Sequence, residues 1–236
     1  MRWRIFALAA FLCLAACGDD DSDFATRPDG KESSLAKSSS SSGQSSSSVT
    51  LATPCKTDIA DTCEYGELVD ARDGQTYKTV VIGAQTWMAE NLNFETENSF
   101  CYNDSAEYCA KYGRFYTWAA AMTVCPSGWH LPTFEEFETL LSAVGGQARA
   151  AEKLKASSGW DDDGNGTDAY SFTALSAGYR LVNGEYSVEG YYAYIWSSSE
   201  RYSDTAYYLF MDYSNLYPWL SSSEKDLGLS VRCLKD

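Results

Sequence analysis

The sequence predicts an α+β fold, with two or three helices in the first half of a disulfide-stapled domain and mostly antiparallel short strands in the second. Three observations carry this reading. Helix-period apolar runs stop near residue 156, short β-branched and aromatic runs separated by Gly, Ser and Asn follow, and six cysteines are spread over both halves.

The chain opens with Arg2 and Arg4 and then an apolar stretch from Ile5 to Ala16. Roughly a dozen apolar residues fall short of the ~20 that span a bilayer, so residues 1–16 read as a signal peptide and not as a permanent anchor. Leu14-Ala15-Ala16-Cys17 resembles the bacterial lipobox. That resemblance implies that Cys17 is lipidated, with palmitate among its acyl chains, and that the membrane is a partner through this anchor. It makes the protein an expected outer membrane lipoprotein. The run Gly18-Asp19-Asp20-Asp21-Ser22-Asp23 is similar to the export signal of surface lipoproteins and points to the cell surface, although an acidic run is also an ordinary solvated tether.

Residues 17–54 read as the lipidated cysteine and a flexible acidic and serine-rich stalk. Eleven of the sixteen residues from Ser33 to Ser48 are serine, too little apolar surface to offset the entropy of ordering. Residues 55–236 are long enough for one well-buried domain. The formal net charge of −15 makes nucleic acid and anionic lipid surfaces poor partners.

Within the domain, Thr76 to Ile82 and Gln85 to Met88 read as a hairpin, entered through the Asp73-Gly74 turn. Thr117 to Val124 is alanine-rich and reads as a helix that Cys125-Pro126 stops. Thr133 begins a second helix, with Glu136 three residues on to complete a capping box. Phe134, Phe137, Leu140, Leu141 and Val144 form its buried face, and Gly145-Gly146 ends it. A short third helix covers Ala150 to Ala156. Strands are expected at Tyr170 to Leu175, Tyr194 to Ser198, Ala206 to Tyr213 and Gly228 to Leu234.

An even number of cysteines in an exported chain suggests bridges. Cys55 with Cys63 and Cys101 with Cys109 each enclose seven residues, which favours local pairing and leaves Cys125 to Cys233. No Cys-x-x-Cys occurs and His130 is the only histidine, so a zinc cluster has no ligand set.

The blocks Asp73 to Val80, Ile82 to Asn93, Tyr112 to Trp118, Cys125 to Thr133, Gly166-Thr167-Asp168, Trp196 to Glu200 and Ser230-Val231-Arg232-Cys233 together resemble the Fibrobacter succinogenes major paralogous domain family. The resemblance implies a C-type-lectin-like fold, which suits a bridge from the helical region to the last strand. Formylglycine-generating enzymes are similar in broad fold and carry a block like His130-Leu131-Pro132-Thr133. They use a pair of C-terminal cysteines to bind copper, and here only Cys233 lies in that region. With no carboxylate pair in a recognisable motif either, the chain is not expected to be an enzyme.

Two candidate sites remain. Asp161, Asp163, Asn165 and Asp168 resemble the start of a calcium loop with Gly166 at the sharp turn, but Phe172 stands where the bidentate glutamate belongs. Calcium is the only cofactor the sequence suggests. The second is the Tyr-rich stretch from Asn183 to Glu224, where rings are interleaved with Ser, Gly and Asn, as in binding paratopes. Tyr191 and Tyr192 after Gly190, Tyr202, and Tyr217 and Trp219 around Pro218 are expected in loops, with the strand aromatics filling the core. The expected function is a non-catalytic surface lipoprotein binding a polysaccharide or a protein. The alternatives are a structural or envelope-assembly lipoprotein without a soluble ligand, and a calcium-dependent lectin-like binder.

Overall fold

A computed structural model describes residues 49–236. The leader at 1–16, Cys17 and the serine-rich stretch up to residue 48 lie outside the described residues.

In chain order, β1 (Lys56–Thr57) and β2 (Ala60–Asp61) form a small hairpin, and β3 (Tyr65–Val69), β4 (Thr76–Ile82) and β5 (Gln85–Met88) form a meander. Next come β6 (Ser99–Phe100), α1 (Ala106–Tyr112), β7 (Phe115–Tyr116), α2 (Trp118–Val124), β8 (Trp129–His130), α3 (Phe134–Ala143) and α4 (Ala150–Leu154). The second half contains β9 (Tyr179–Arg180), β10 (Tyr186–Ser187), β11 (Tyr192–Tyr202), β12 (Thr205–Asp212), β13 (Trp219–Glu224), β14 (Leu229–Ser230) and β15 (Leu234–Lys235). One sheet runs β13-β12-β11-β14-β7-β6 and the other β3-β4-β5-β15-β8. Pairing is antiparallel except between β11 and β14. The fold is α+β, and no helix among the described residues is long and apolar enough to cross a membrane.

The expected hairpin and the second helix form where local chemistry dictates them. Glu136 N–H donates to Thr133 Oγ1 at 3.2 Å and Thr133 N–H donates back to Glu136 Oε2 at 2.8 Å, completing the capping box of α3. Such a cap stabilises by about 1 kcal/mol. The helix then buries Phe137, Leu140 and Leu141. Phe137 stacks on Trp87 of β5 with ring centroids 5.5 Å apart, and the edge of Phe172 meets Trp87 at 5.7 Å, so both sheets and the helices close on one core.

Three expectations need correction. A helix that the apolar pattern does not announce, α1, starts inside the Cys101–Cys109 loop and runs past Cys109 to Tyr112. Tyr170 to Leu175 is not a strand: Ser171 and Thr173 have φ of 53° and 52°, and a bridge from Ala174 to Lys155 is the pairing it makes. Its backbone is satisfied partly by turn and loop carbonyls and partly by side chains, with Ser171 N–H donating to Asp168 O at 2.9 Å and Ala174 N–H to Leu154 O at 2.8 Å. Asp168 Oδ1 accepts the Thr173 N–H at 2.7 Å, while Arg232 donates to the carbonyls of Phe172 and Thr173. The expected strand at 228–234 is split, with β14 in one sheet and β15 in the other. Between them Leu92 N–H reaches Val231 O at 2.9 Å and Met88 N–H reaches Cys233 O at 3.1 Å. The disulfides are Cys55–Cys63, Cys101–Cys109 and Cys125–Cys233, and the last ties the end of α2 to this crossing segment.

Candidate functional site

Strands β11 and β12 alternate with unusual uniformity. Ala193, Ile195, Leu209 and Met211 point inward and are buried in the core shared with α3 and α4. The opposite face carries Tyr192 and Tyr194 on β11, Tyr208 and Phe210 on β12, and Trp219 on β13. Register brings them together: Tyr194 faces Phe210, Trp196 faces Tyr208, and Phe210 faces Trp219. Ring centroids are 4.9 Å apart for Tyr194 and Phe210, 5.4 Å for Tyr194 and Tyr208, and 5.6 Å for Phe210 and Trp219. At one end of the row Trp196 is fully buried, with Nε1–H donating to Tyr116 O at 2.8 Å. The aromatic row therefore runs from core to solvent, and its outer rings are only half-buried.

Two hollows lie along it. One of about 350 Å³ is lined by Tyr194, Tyr208, Phe210, Trp219, Leu220 and Ser221, and one of about 130 Å³ by Tyr179, Tyr194, Tyr208, Ser223, Leu227 and Leu229. Tyr194 and Tyr208 belong to both. Neither lining contains a carboxylate or a cation. Burial, followed by the proximity of Tyr208 and Tyr179, pushes the Tyr194 phenol well above its ordinary range. The hydroxyls of Tyr192, Tyr194 and Tyr208 have no hydrogen-bond partner among the described residues, and none is among the buried polar atoms left unpaired, so they are open to water or a ligand.

The outer rim is held from beneath by α4 and the turn before it. Gln147 Nε2 donates to Pro218 O at 3.0 Å, Ala151 N–H to Leu216 O at 2.9 Å, and Lys155 Nζ to the carbonyls of Asp212 and Tyr213 at 3.0 and 3.1 Å. Burial draws the Lys155 ammonium below its usual range, yet these carbonyls and the Trp160 ring 4.9 Å away receive its charge. The segment carrying Tyr217 and Trp219 is thus docked on a helix and does not hang free.

Four of the five aromatics expected from the sequence join this assembly. Tyr217 meets Trp219 at 5.2 Å, Tyr192 meets Phe210 at 5.5 Å, and Tyr191 packs edge-on against Tyr213 at 5.2 Å. Their setting differs from the expectation, because Tyr192 opens β11 and Trp219 opens β13, whereas only Tyr191 and Tyr217 lie in turns. Tyr202 stands apart at the far tip of the β11–β12 hairpin, 62% exposed. Tyr194, Tyr208 and Phe210 fall within the expected strands, whose alternating aromatics were expected to fill the core. No local signal separates them from core aromatics, because the opposite face of both strands is apolar as well.

The candidate calcium donors do not converge. Asp168 is buried, forms an ion pair with Lys56 at 2.7 Å, and accepts Thr173 Oγ1–H at 2.9 Å. Asn165 Oδ1 accepts the Trp160 N–H at 3.0 Å. Asp161 packs under Gly190, where φ is +89° and an added Cβ would come within 2.4 Å of Asp161 Oδ2. Asp163 is exposed. Among the described residues no group of three or more His, Cys, Asp and Glu is arranged to hold a metal. This acidic loop instead buttresses the turn that launches β11, with Asp161 N–H donating to Gly190 O at 2.8 Å.

Two other places were candidates on size or chemistry. A polar cleft of about 350 Å³ lies between Gln75, Tyr77, Asn91, Asn93 and α1, and its amide donors are bonded within the protein: Gln75 Nε2 donates to Asp73, Asn93 Nδ2 to Gln75, and Asn91 Nδ2 to Tyr112 O, while Asn93 Oδ1 is buried without a partner. His130 is flanked by Glu136 and Asp236, and Cys233 is bonded to Cys125, which leaves no thiolate pair there. The aromatic face differs from both in presenting ring faces and hydroxyls together at an open surface.

A family model described as Fibrobacter succinogenes major domain matches residues 80–235. No curated protein and no solved structure matches the chain.

Proposed function

Since the chain belongs to the Fibrobacter succinogenes major domain family, we propose that it is a non-catalytic surface lipoprotein whose folded part binds an extracellular polysaccharide or protein. The observation that carries this is the aromatic face of β11, β12 and β13, where half-buried rings meet hydroxyls that have no protein partner. Rigid rings beside small polar groups give large contact area at low entropic cost. We also infer a C-type-lectin-like arrangement. The bridge from Cys125 to Cys233 and the pairing of β15 with both β5 and β8, which join early and late segments in one sheet, support that reading.

In this proposal a lipid on Cys17 holds the protein to the outer membrane, and the serine-rich stretch up to Ser48 separates the binding face from the bilayer. Binding and not catalysis fits the composition of the face, whose hollows are lined by phenol and serine hydroxyls with no histidine, carboxylate or amine beside them to activate one. The test is a screen of the full chain against immobilised glycans and secreted proteins, alongside Trp219→Ala. Captured ligands should be lost or weakened by the substitution while thermal melting stays within a few degrees. If every captured ligand bound the variant as well as the parent, the aromatic face would not be the site.

A further inference from the structure

We propose that the aromatic face takes a single chain of a neutral saccharide across at least two sugar subsites. This rests on the binding role given above and narrows it to one chemistry.

Charge is the first argument. The chain carries a formal net charge of −15, yet the two hollows along the face are lined only by rings, aliphatic groups and hydroxyls. An anionic polymer would meet the repulsion of the surrounding acids and find no cation in the site to offset it. A cationic segment would find no carboxylate there to pair with.

Hydrogen bonding is the second. The hydroxyls of Tyr194 and Tyr208 and of Ser221 and Ser223 line the hollows beside the ring faces. Each can both donate and accept, which suits a ligand whose own groups are hydroxyls. The C–H faces of a pyranose pack on aromatic rings while its equatorial hydroxyls reach outward, so both kinds of lining group are used by one ligand.

Shape is the third. Neighbouring rings are tilted, by 43° for Tyr194 and Phe210, 36° for Phe210 and Trp219, and 73° for Tyr217 and Trp219. A flat crystalline surface cannot lie on rings so inclined, whereas one flexible chain can turn from ring to ring. The ridge of Tyr194 and Tyr208 between the two hollows divides the path into a larger and a smaller subsite.

The experiment titrates the full chain with cellohexaose, xylohexaose and maltohexaose as neutral probes, their disaccharides, and hexagalacturonate as an anionic probe. Binding is read by calorimetry and by protection of Trp219 from chemical modification. At least one neutral hexasaccharide should bind at least tenfold more tightly than its disaccharide and than hexagalacturonate. Trp219→Ala and Tyr194→Phe should each weaken it at least fivefold, the second removing only a hydroxyl and so leaving packing intact. Equal binding of disaccharide and hexasaccharide, stronger binding of the anionic probe, or an unaffected Tyr194→Phe variant would overturn the inference. If no saccharide protects Trp219 but a protein from the screen does, the inference fails while the binding role stands. If nothing protects Trp219, both fail.

Discussion

His130 Nε2 lies 2.9 Å from Glu136 Oε1, on the same carboxylate whose Oε2 caps α3 by accepting the Thr133 N–H. The other ring nitrogen, Nδ1, is 2.7 Å from Asp236 Oδ1. With carboxylates at both nitrogens the ring is a double donor, which is the imidazolium form. The sole histidine thus fastens the C-terminal end of the chain to the start of a helix.

Partial burial would lower the His130 pKa, but the hydrogen bonds to Asp236 and Glu136 outweigh it and raise the value above its ordinary range. A folded-state pKa above the unfolded one gives stability that is fully present below the unfolded pKa, near ~6.5, and lost as pH rises through the folded value. This contribution should therefore decline as pH rises above ~6.5 and through the folded pKa, and His130→Gln should flatten that decline. NMR titration of the single imidazole together with thermal melts across this range checks it. An ordinary or lowered pKa would contradict the geometry.

Arg232 is wholly buried, with Nε donating to Asn91 Oδ1 at 2.8 Å and the other donors meeting the carbonyls of Phe172 and Thr173. Its charge is disfavoured by burial, and the nearby Asp168 and Glu90 carboxylates oppose that loss. Asn91→Leu preserves volume but leaves Nε unpaired and also removes the bond to Tyr112 O, so it should cost about 3 kcal/mol in urea unfolding. A loss below about 1 kcal/mol would mean that the guanidinium finds another acceptor.

The bridges should differ in worth. Cys125–Cys233 has a sequence separation of 108, whereas Cys101–Cys109 has one of 8. In the chain-entropy model a loop of ~100 residues contributes about 4.7 kcal/mol and one of ~8 residues about 2.5 kcal/mol. Paired Cys→Ala variants compared by urea unfolding should follow this order. An equal loss would indicate that native packing around the sulfurs, not loop length, sets the contribution.

What was legible in the sequence was local. The Thr133-x-x-Glu136 cap, the Asp73-Gly74 entry to β4 and the seven-residue cysteine loops depend on neighbours within a few positions, and each forms as read. The segment around Phe172 was not legible, because the partners that bend it are Asp168 and the distant Arg232, and no alternation records such a partner. Helix α1 has no side-chain cap and buries only Cys109 and Tyr112, too short a stripe to signal itself. The aromatic face was half legible. Ala193, Ile195, Leu209 and Met211 are apolar on one side and the rings are apolar on the other, so alternation alone does not say which side is covered. The packing of α3 and α4 decides it.

That decision separates Trp219 from Tyr202, two aromatics that the sequence ranks alike. Trp219 opens β13 opposite Phe210, inside the ring cluster, whereas Tyr202 pairs with Thr205 at the hairpin tip. Along β12, Thr205 and Phe210 are separated by ~17 Å at ~3.4 Å per residue, so Tyr202 lies beyond the sugar that would contact Trp219. Trp219→Ala should therefore weaken ligand binding by about 1 to 2 kcal/mol, in the range of a hot-spot truncation, and Tyr202→Ala should weaken it less. Because Trp219 is only half-buried, its loss should lower stability by less than the ~3 to 5 kcal/mol of a core aromatic, a cost expected instead for Trp196→Ala. Binding and melting measured on the three variants separate the cases. Weakened binding in Tyr202→Ala with unchanged binding in Trp219→Ala would move the site from the sheet face to the hairpin tip.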